Sequence, residues 1–90
     1  MSQRVDIILN KYLEPVKIEP QVKDIDNVNE INVYVTTDEN LYNQKVLTII
    51  NYVTHVKAIE YYESPLGEVK VEKMINVKPT EVLKLLKVKL

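Results

Sequence analysis

The sequence lacks cysteine, tryptophan and phenylalanine, and it contains a single glycine and a single histidine. Without cysteine the chain forms no disulfide, presents no thiolate nucleophile and binds no zinc through sulfur. One glycine is too few for a GxxG loop or for a loop that cradles phosphate. These absences remove most of the side-chain chemistry that a small enzyme uses. We therefore expect a protein that is not an enzyme and that has no cofactor and no metal.

The 90 residues are enough for one small α/β domain, 1–90, with a core of valine, isoleucine and leucine. Six tyrosines are expected at the margins of that core. No stretch approaches the roughly 20 consecutive apolar residues of a membrane span, and the N-terminus lacks the pattern of a signal peptide. We expect no contact with a membrane and a cytoplasmic location, which the lack of cysteine also fits.

The first part of the chain is predicted to be a helix followed by an irregular connector. Residues 1–14 have apolar side chains at helical spacing, and Pro15 ends the pattern. The apolar stripe consists of Val5, Ile8, Leu9, Tyr12 and Leu13, with Ser2 as the N-cap. Residues 15–30 are polar and contain proline, and they predict a connector with a short extended piece at 16–18.

A strand and a second helix are predicted next. Residues 31–36 alternate between apolar and polar side chains, which indicates a strand with one buried face. Thr36 and Glu39 match a capping box, and residues 40–54 then predict a helix. The apolar positions of this helix are Tyr42, Val46, Ile49, Ile50 and Val53.

The last part predicts a hairpin and a C-terminal helix or tail. Residues 56–63 and 68–77 are rich in strand formers and flank a turn that contains Gly67. Residues 79–90 begin with the proline and acid of a helix start, although their end alternates like an edge strand. The predicted class is α+β with the order α-β-α-β-β-α. Its core, 31–78, would form a three-stranded mixed sheet with helices largely on one face.

Two groups of residues invite a chemical interpretation. His55 has an unperturbed pKa near neutrality, but it lies where the second helix should end, so a structural role is the favoured interpretation. The oxygen-rich residues 24–30 do not have calcium-loop spacing, because the position that needs glycine is Asn29. We interpret this segment as a solvated turn.

The basic and apolar C-terminus can be a helix that lies on the sheet with its lysines in solvent. It can also be a tail that docks on a partner. We hypothesise that it binds a partner together with the tyrosine-bearing sheet, and that its removal weakens partner capture while leaving the fold intact. The residues of this candidate surface are Leu85, Leu86, Lys87, Val88, Lys89 and Leu90.

Tyrosines on the predicted strands suggest an alternative, because aromatic side chains can stack on unpaired bases. Tyrosine is also favoured in strands for packing alone, and the chain lacks a dense basic footprint. Residues 1–44 carry a net charge of −4, from 4 basic and 8 acidic residues, and the remainder carries +3, from 8 lysines and 5 glutamates. The candidate nucleic-acid-binding residues are Tyr34, Lys57, Tyr61, Tyr62 and Lys70.

Residues 31–80 resemble the small α/β module near the C-terminus of isoleucyl-type class I aminoacyl-tRNA synthetases. The resemblance is carried by the string VKAIEYY at 56–62 and by INVKP at 75–79. It implies an accessory module associated with nucleic-acid machinery and implies no aminoacylation, because the nucleotide-binding motifs of the synthetases are absent.

The sequence thus predicts an accessory subunit or adaptor that acts by protein–protein interaction in a nucleic-acid-processing complex. Direct binding of RNA or single-stranded DNA is the alternative. A protein partner is expected, with nucleic acid contacted directly or through that partner. A homodimer remains open.

Overall fold

The structure is a computed structural model that describes residues 3–36, 43–52 and 54–89. Within these residues the chain forms one six-stranded mixed sheet with the strand order β2-β1-β3-β4-β5-β6. The strands are β1 (Arg4–Leu9), β2 (Pro15–Glu19), β3 (Glu30–Thr36), β4 (Asn43–Asn51), β5 (Val56–Ser64) and β6 (Gly67–Ile75). A 3₁₀ turn (Ile25–Asn27) and the helix α1 (Pro79–Leu85) complete the described part. Strands β1 and β3 are parallel, and every other neighbouring pair is antiparallel.

The hydrophobic core lies on one face of the sheet. Alternate residues of the central strands point to this face, and α1 packs against them through Val82 and Leu83. Val88, which follows the helix, also belongs to this core. The buried strand residues are Val5, Ile7, Leu9, Ile31, Val33, Leu47, Ile49, Val56 and Ala58.

The opposite side of the sheet, which we call the open face, consists of the alternate side chains. The register aligns Asp6, Asn32, Thr48, Ile59 and Glu72 in one row across five strands. None of these residues belongs to the hydrophobic core. The open face is therefore the side of the sheet that α1 does not cover.

The predicted three-stranded α-β-α-β-β-α arrangement is wrong, because two predicted helices are strands and the predicted connector contributes a sixth strand, β2. Residues 1–14 contain β1 and the beginning of the β1–β2 connection, and residues 40–54 contain β4. In β1 the apolar run Ile7–Leu9 fits both the helical period of about 3.6 residues and the strand period of about two. The residues that are buried alternate: Val5, Ile7 and Leu9. The segment forms a strand because β2 and β3 pair with it on its two sides.

In β4 a shift of register conceals the alternation. The pairing with β3 is irregular between Val33 and Tyr34, which allows the consecutive residues Val46 and Leu47 to pack against the same core. Thr48 on the other face is also buried. A strand with buried residues on both faces gives no period-two pattern, and its apolar residues then fit helical spacing by chance.

Several local predictions are confirmed. The strand predicted at 31–36 is β3, the extended piece predicted at 16–18 lies in β2, and the predicted hairpin is formed by β5 and β6. Gly67 has φ +121°, a conformation that side chains rarely adopt. The predicted C-terminal helix begins at Pro79, and residues 86–89, which follow it, do not extend the sheet as an edge strand.

Some predicted features lie outside the described residues: Ser2, Glu39, Tyr42, Val53 and Leu90. Among the residues described, no helix has the length and apolar character needed to cross a membrane.

Candidate binding face

The centre of the open face is a cluster of two tyrosines and two lysines, which we call the Tyr–Lys cluster. The register places Lys45 of β4 opposite Tyr34 of β3, and Lys70 of β6 opposite Tyr61 of β5. The Lys45 Nζ is 5.8 Å from the ring centroids of both Tyr34 and Tyr61. The Lys70 Nζ is 5.7 Å from the Tyr61 centroid. These distances are within the range of cation–π attraction.

A chain of hydrogen bonds fixes the position of Tyr61. The Thr48 hydroxyl donates to Asn32 Oδ1 at 2.9 Å, and it lies 3.1 Å from the Tyr61 hydroxyl. Because Thr48 has one hydroxyl proton, Tyr61 must be the donor in the second bond. Asn32 Nδ2 donates in turn to Glu30 Oε2 at 2.9 Å. Asn32 and Thr48 are buried, so this chain anchors the aromatic cluster to the interior of the sheet.

Several other cations of the open face are paired with carboxylates. Lys57 Nζ is 3.3 Å from Glu72 Oε2, and Lys17 Nζ is 3.3 Å from Glu19 Oε1. The hydrogen bond from Arg4 to Asp6, at 3.3 Å, raises the pKa of Arg4 above its ordinary value. The charge of this face is therefore mixed.

Lys45 and Lys70 differ from these paired cations. Within residues 3–36, 43–52 and 54–89, neither lysine has a carboxylate oxygen within 4.0 Å. Both lie over tyrosine rings instead. An ammonium group in this position can still bind an anionic or polar group of a partner.

The structure brings together four of the five residues of the predicted nucleic-acid surface. Tyr34, Lys57, Tyr61 and Lys70 lie on the open face. The fifth, Tyr62, is on the core side of β5, where its hydroxyl donates to the Glu60 carboxylate. This hydrogen bond raises the pKa of Tyr62 above its ordinary value.

Three residues of this face were not predicted from the sequence: Asn32, Lys45 and Thr48. Lys45 and Thr48 belong to the segment that was predicted to be a helix, where neither would face a tyrosine of β3 or β5. Their role depends on the pairing of β4 with β3 and β5. A prediction of residues 43–51 as a strand would have indicated that Lys45 and Thr48 lie beside residues of neighbouring strands.

The candidate partner-binding residues of the C-terminus divide into buried and exposed positions. Val88 is 8% exposed and packs in the core, and the Lys89 N–H donates to the Leu13 carbonyl at 3.0 Å. Leu85 is 73% exposed, and Leu86 is 39% exposed and lines an apolar cavity of about 320 Å³. Lys87 is exposed. Leu90 lies outside the described residues.

His55 and the oxygen-rich segment meet in a polar cleft of about 570 Å³ at one end of the sheet. His55 follows a strand and not a helix, so the expected contact with a helix C-terminus is wrong. Its Nδ1 is 2.9 Å from Thr54 Oγ1, and its ring centroid is 4.8 Å from that of Tyr52.

The acidic residues of this cleft have structural partners. The Asp24 carboxylate accepts hydrogen bonds from the Asp26 N–H at 3.1 Å and from Asn27 Nδ2 at 2.8 Å, which caps the 3₁₀ turn. The Asp26 carboxylate accepts from the N–H and the hydroxyl of Thr80. In the part of the chain that the structure describes, no group of three or more histidine or acidic side chains could hold a metal ion.

The chain was compared with protein-family models, with curated proteins and with solved structures, and none of them matches it. The resemblance to the synthetase module therefore remains a prediction.

Proposed function

We propose that this chain is a non-catalytic accessory subunit or adaptor that binds a protein partner through its open face, in a complex that processes nucleic acid. The observation that carries the proposal is the Tyr–Lys cluster at the centre of that face, with Lys45 over both Tyr34 and Tyr61. Tyrosine provides a large contact area with few rotatable bonds, which is why it is enriched in protein interfaces.

The charges around the cluster favour a protein partner over a polyanion. Arg4, Lys17 and Lys57 are paired with carboxylates of the same face, so they are not available as phosphate contacts without breaking ion pairs. Nucleic-acid affinity depends on the number of phosphates that cations neutralise. A mixed rim around an aromatic centre matches the anatomy of protein interfaces.

Direct binding of RNA or single-stranded DNA is the second candidate. The specific observation in its favour is that Lys45 and Lys70 lie beside tyrosine rings without a carboxylate partner among the described residues. Bases could stack on Tyr34 and Tyr61 while the two ammonium groups contact phosphates.

The test compares two consecutive tyrosines. Tagged wild-type chain, Tyr61→Ala and Tyr62→Ala are used to capture partners from a native extract of the source, with and without nuclease. We expect a stoichiometric protein partner that survives nuclease, is lost with Tyr61→Ala and is retained with Tyr62→Ala, because only Tyr61 lies on the open face. Equal capture by all three chains would contradict the proposed surface.

Lysine variants extend the comparison without removing a ring. Lys45→Ala should weaken capture, and Lys84→Ala on the exposed side of α1 should not. The nucleic-acid candidate is tested with a fluorescent single-stranded oligonucleotide at increasing salt. It predicts an affinity that falls steeply with salt. In a plot of log affinity against log salt concentration, the magnitude of the slope should decrease by about 1 in Lys45→Ala. Undetectable binding at low salt would eliminate this candidate.

A further inference from the structure

The two edges of the sheet differ in how they are protected from pairing with another chain. The edge strand β2 has five residues, begins with a proline, and pairs with β1 through an irregular register. The edge strand β6 has nine residues without proline, it pairs regularly with β5, and seven of its residues are exposed. Short length, proline and bulges are devices that block edge pairing, and β6 has none of them. Its protection consists of charged side chains alone, and these oppose pairing only with a strand whose charges do not complement them.

The direction of the free backbone groups of β6 follows from its hairpin. Ser64 and Gly67 flank a two-residue turn and pair with each other, so the backbone groups of Gly67 point toward β5. Alternation along the strand then directs the N–H and C=O groups of Glu68, Lys70, Glu72 and Met74 away from the sheet. When two copies of β6 pair antiparallel, these outward residues must face each other. Because they are every second residue of the strand, the two-fold axis perpendicular to the sheet must pass through a residue position and not between two residues.

The charges and the length of β6 together select one axis. An axis through Lys70, Glu72 or Lys73 would oppose two like charges at its centre. An axis through Val71, the middle residue of β6, instead places Lys70 opposite Glu72 of the second copy and Glu72 opposite Lys70. It also pairs all nine residues and packs Val71 against its own equivalent, whereas an axis two residues nearer the turn, which likewise opposes unlike charges, pairs only five residues of β6. Opposite charges in cross-strand pairs stabilise a sheet, and like charges destabilise it.

We infer that this chain forms a homodimer in which two β6 strands pair antiparallel about Val71, joining the two sheets into one. Glu72 would then lie between Lys57 of its own chain, 3.3 Å away, and Lys70 of the second copy. Paired residues of adjacent strands point to the same face. The two open faces therefore form one continuous surface with a Tyr61 on each side of the axis. The inference rests on the pairing and charges of the edge strand β6 and does not depend on the proposed function, although Lys70 also belongs to the Tyr–Lys cluster.

Single cysteines test this register in a chain that has no other cysteine. Val71→Cys places two thiols directly opposite each other, with Cα atoms about 4.5 Å apart in a pair of this type. Val69→Cys is the matched control on the same face. In this register residue 69 of each chain lies opposite Lys73 of the other chain, so the two introduced cysteines are about 13 Å apart. With oxidised glutathione as the oxidant, we expect rapid disulfide-linked dimer with Val71→Cys and little with Val69→Cys. Equal rates for the two variants would overturn the inference.

Sedimentation of the chain without cysteine provides a second readout. The wild type should sediment as a dimer at micromolar concentration, Lys70→Glu should shift toward monomer by at least tenfold in dissociation constant, and Lys70→Glu/Glu72→Lys should restore the dimer. Circular dichroism confirms that each variant is folded. A monomeric wild type, or a double variant as weak as the single one, would overturn the inference.

Discussion

Tyr61 and Tyr62 are consecutive residues of β5, and their side chains lie on opposite faces of the sheet. The Tyr61 hydroxyl is 3.1 Å from Thr48 Oγ1 on the open face, and the Tyr62 hydroxyl donates to Glu60 on the core side. Both tyrosines are predicted from the sequence to lie on one surface. The register of β5 assigns only Tyr61 to it, and this makes Tyr62 the control for every test of the open face.

Thr48→Val should destabilise the protein by about 1–3 kcal/mol. The substitution removes the hydroxyl that joins Asn32 and Tyr61, and it leaves the buried Asn32 Oδ1 without this donor. Urea unfolding measures the loss, and Thr54→Val at an exposed position should stay within about 0.5 kcal/mol. A Thr48 variant as stable as the wild type would show that the hydrogen-bond chain contributes nothing.

Asp26→Ala should reduce stability more than Asp24→Ala. The Asp26 carboxylate accepts from the Thr80 N–H at 2.9 Å and from the Thr80 hydroxyl at 3.0 Å, which ties the 3₁₀ turn to the start of α1. Hydrogen bonds to a charged group are worth about 1.5–3 kcal/mol. The contacts of Asp24 are local, and their loss should cost about 1 kcal/mol. Chemical denaturation of both variants measures their free energies of unfolding. An Asp24→Ala variant less stable than Asp26→Ala would contradict the proposed role of the Asp26–Thr80 hydrogen bonds.

Val88→Ala should lower stability by about 1–2 kcal/mol, because it removes apolar volume from the core. Leu85→Ala, at a position that is 73% exposed, should change stability by less than about 0.5 kcal/mol. For the same reason we expect removal of residues 85–90 to destabilise the fold, whatever it does to partner binding. Thermal unfolding distinguishes the two substitutions, and equal effects would contradict the burial of Val88.

Lys87→Gly should stabilise the protein by about 0.5–1 kcal/mol. Lys87 has φ 63° directly after the C-cap of α1, and the Val88 N–H donates to the Leu83 carbonyl at 3.0 Å. This is a Schellman motif with lysine at the position where glycine is preferred. A rise in melting temperature of about 2–8 °C is expected. Lys89→Gly, outside the motif, should produce no such rise, and a destabilised Lys87→Gly would contradict the assignment.

Local chemistry determined the parts of the fold that the sequence predicted correctly. The β5–β6 hairpin depends on a turn with Pro65 and Gly67, and the start of α1 depends on Pro79. Strand β3 alternates between apolar residues, which pack on the core side, and polar or aromatic residues, which lie on the open face. Each of these signals lies within a few neighbouring residues, so it can be read without knowing the rest of the structure.

The tertiary structure decided what local patterns leave ambiguous. Residues 4–9 and 43–51 fit both helix and strand, and they became strands because neighbours pair with both of their edges. The same pairing determined the candidate site, since Lys45 meets Tyr34 and Tyr61 only when β4 lies between β3 and β5. Hydrogen bonding between strands is non-local, and it is the interaction that a pattern of apolar residues does not contain.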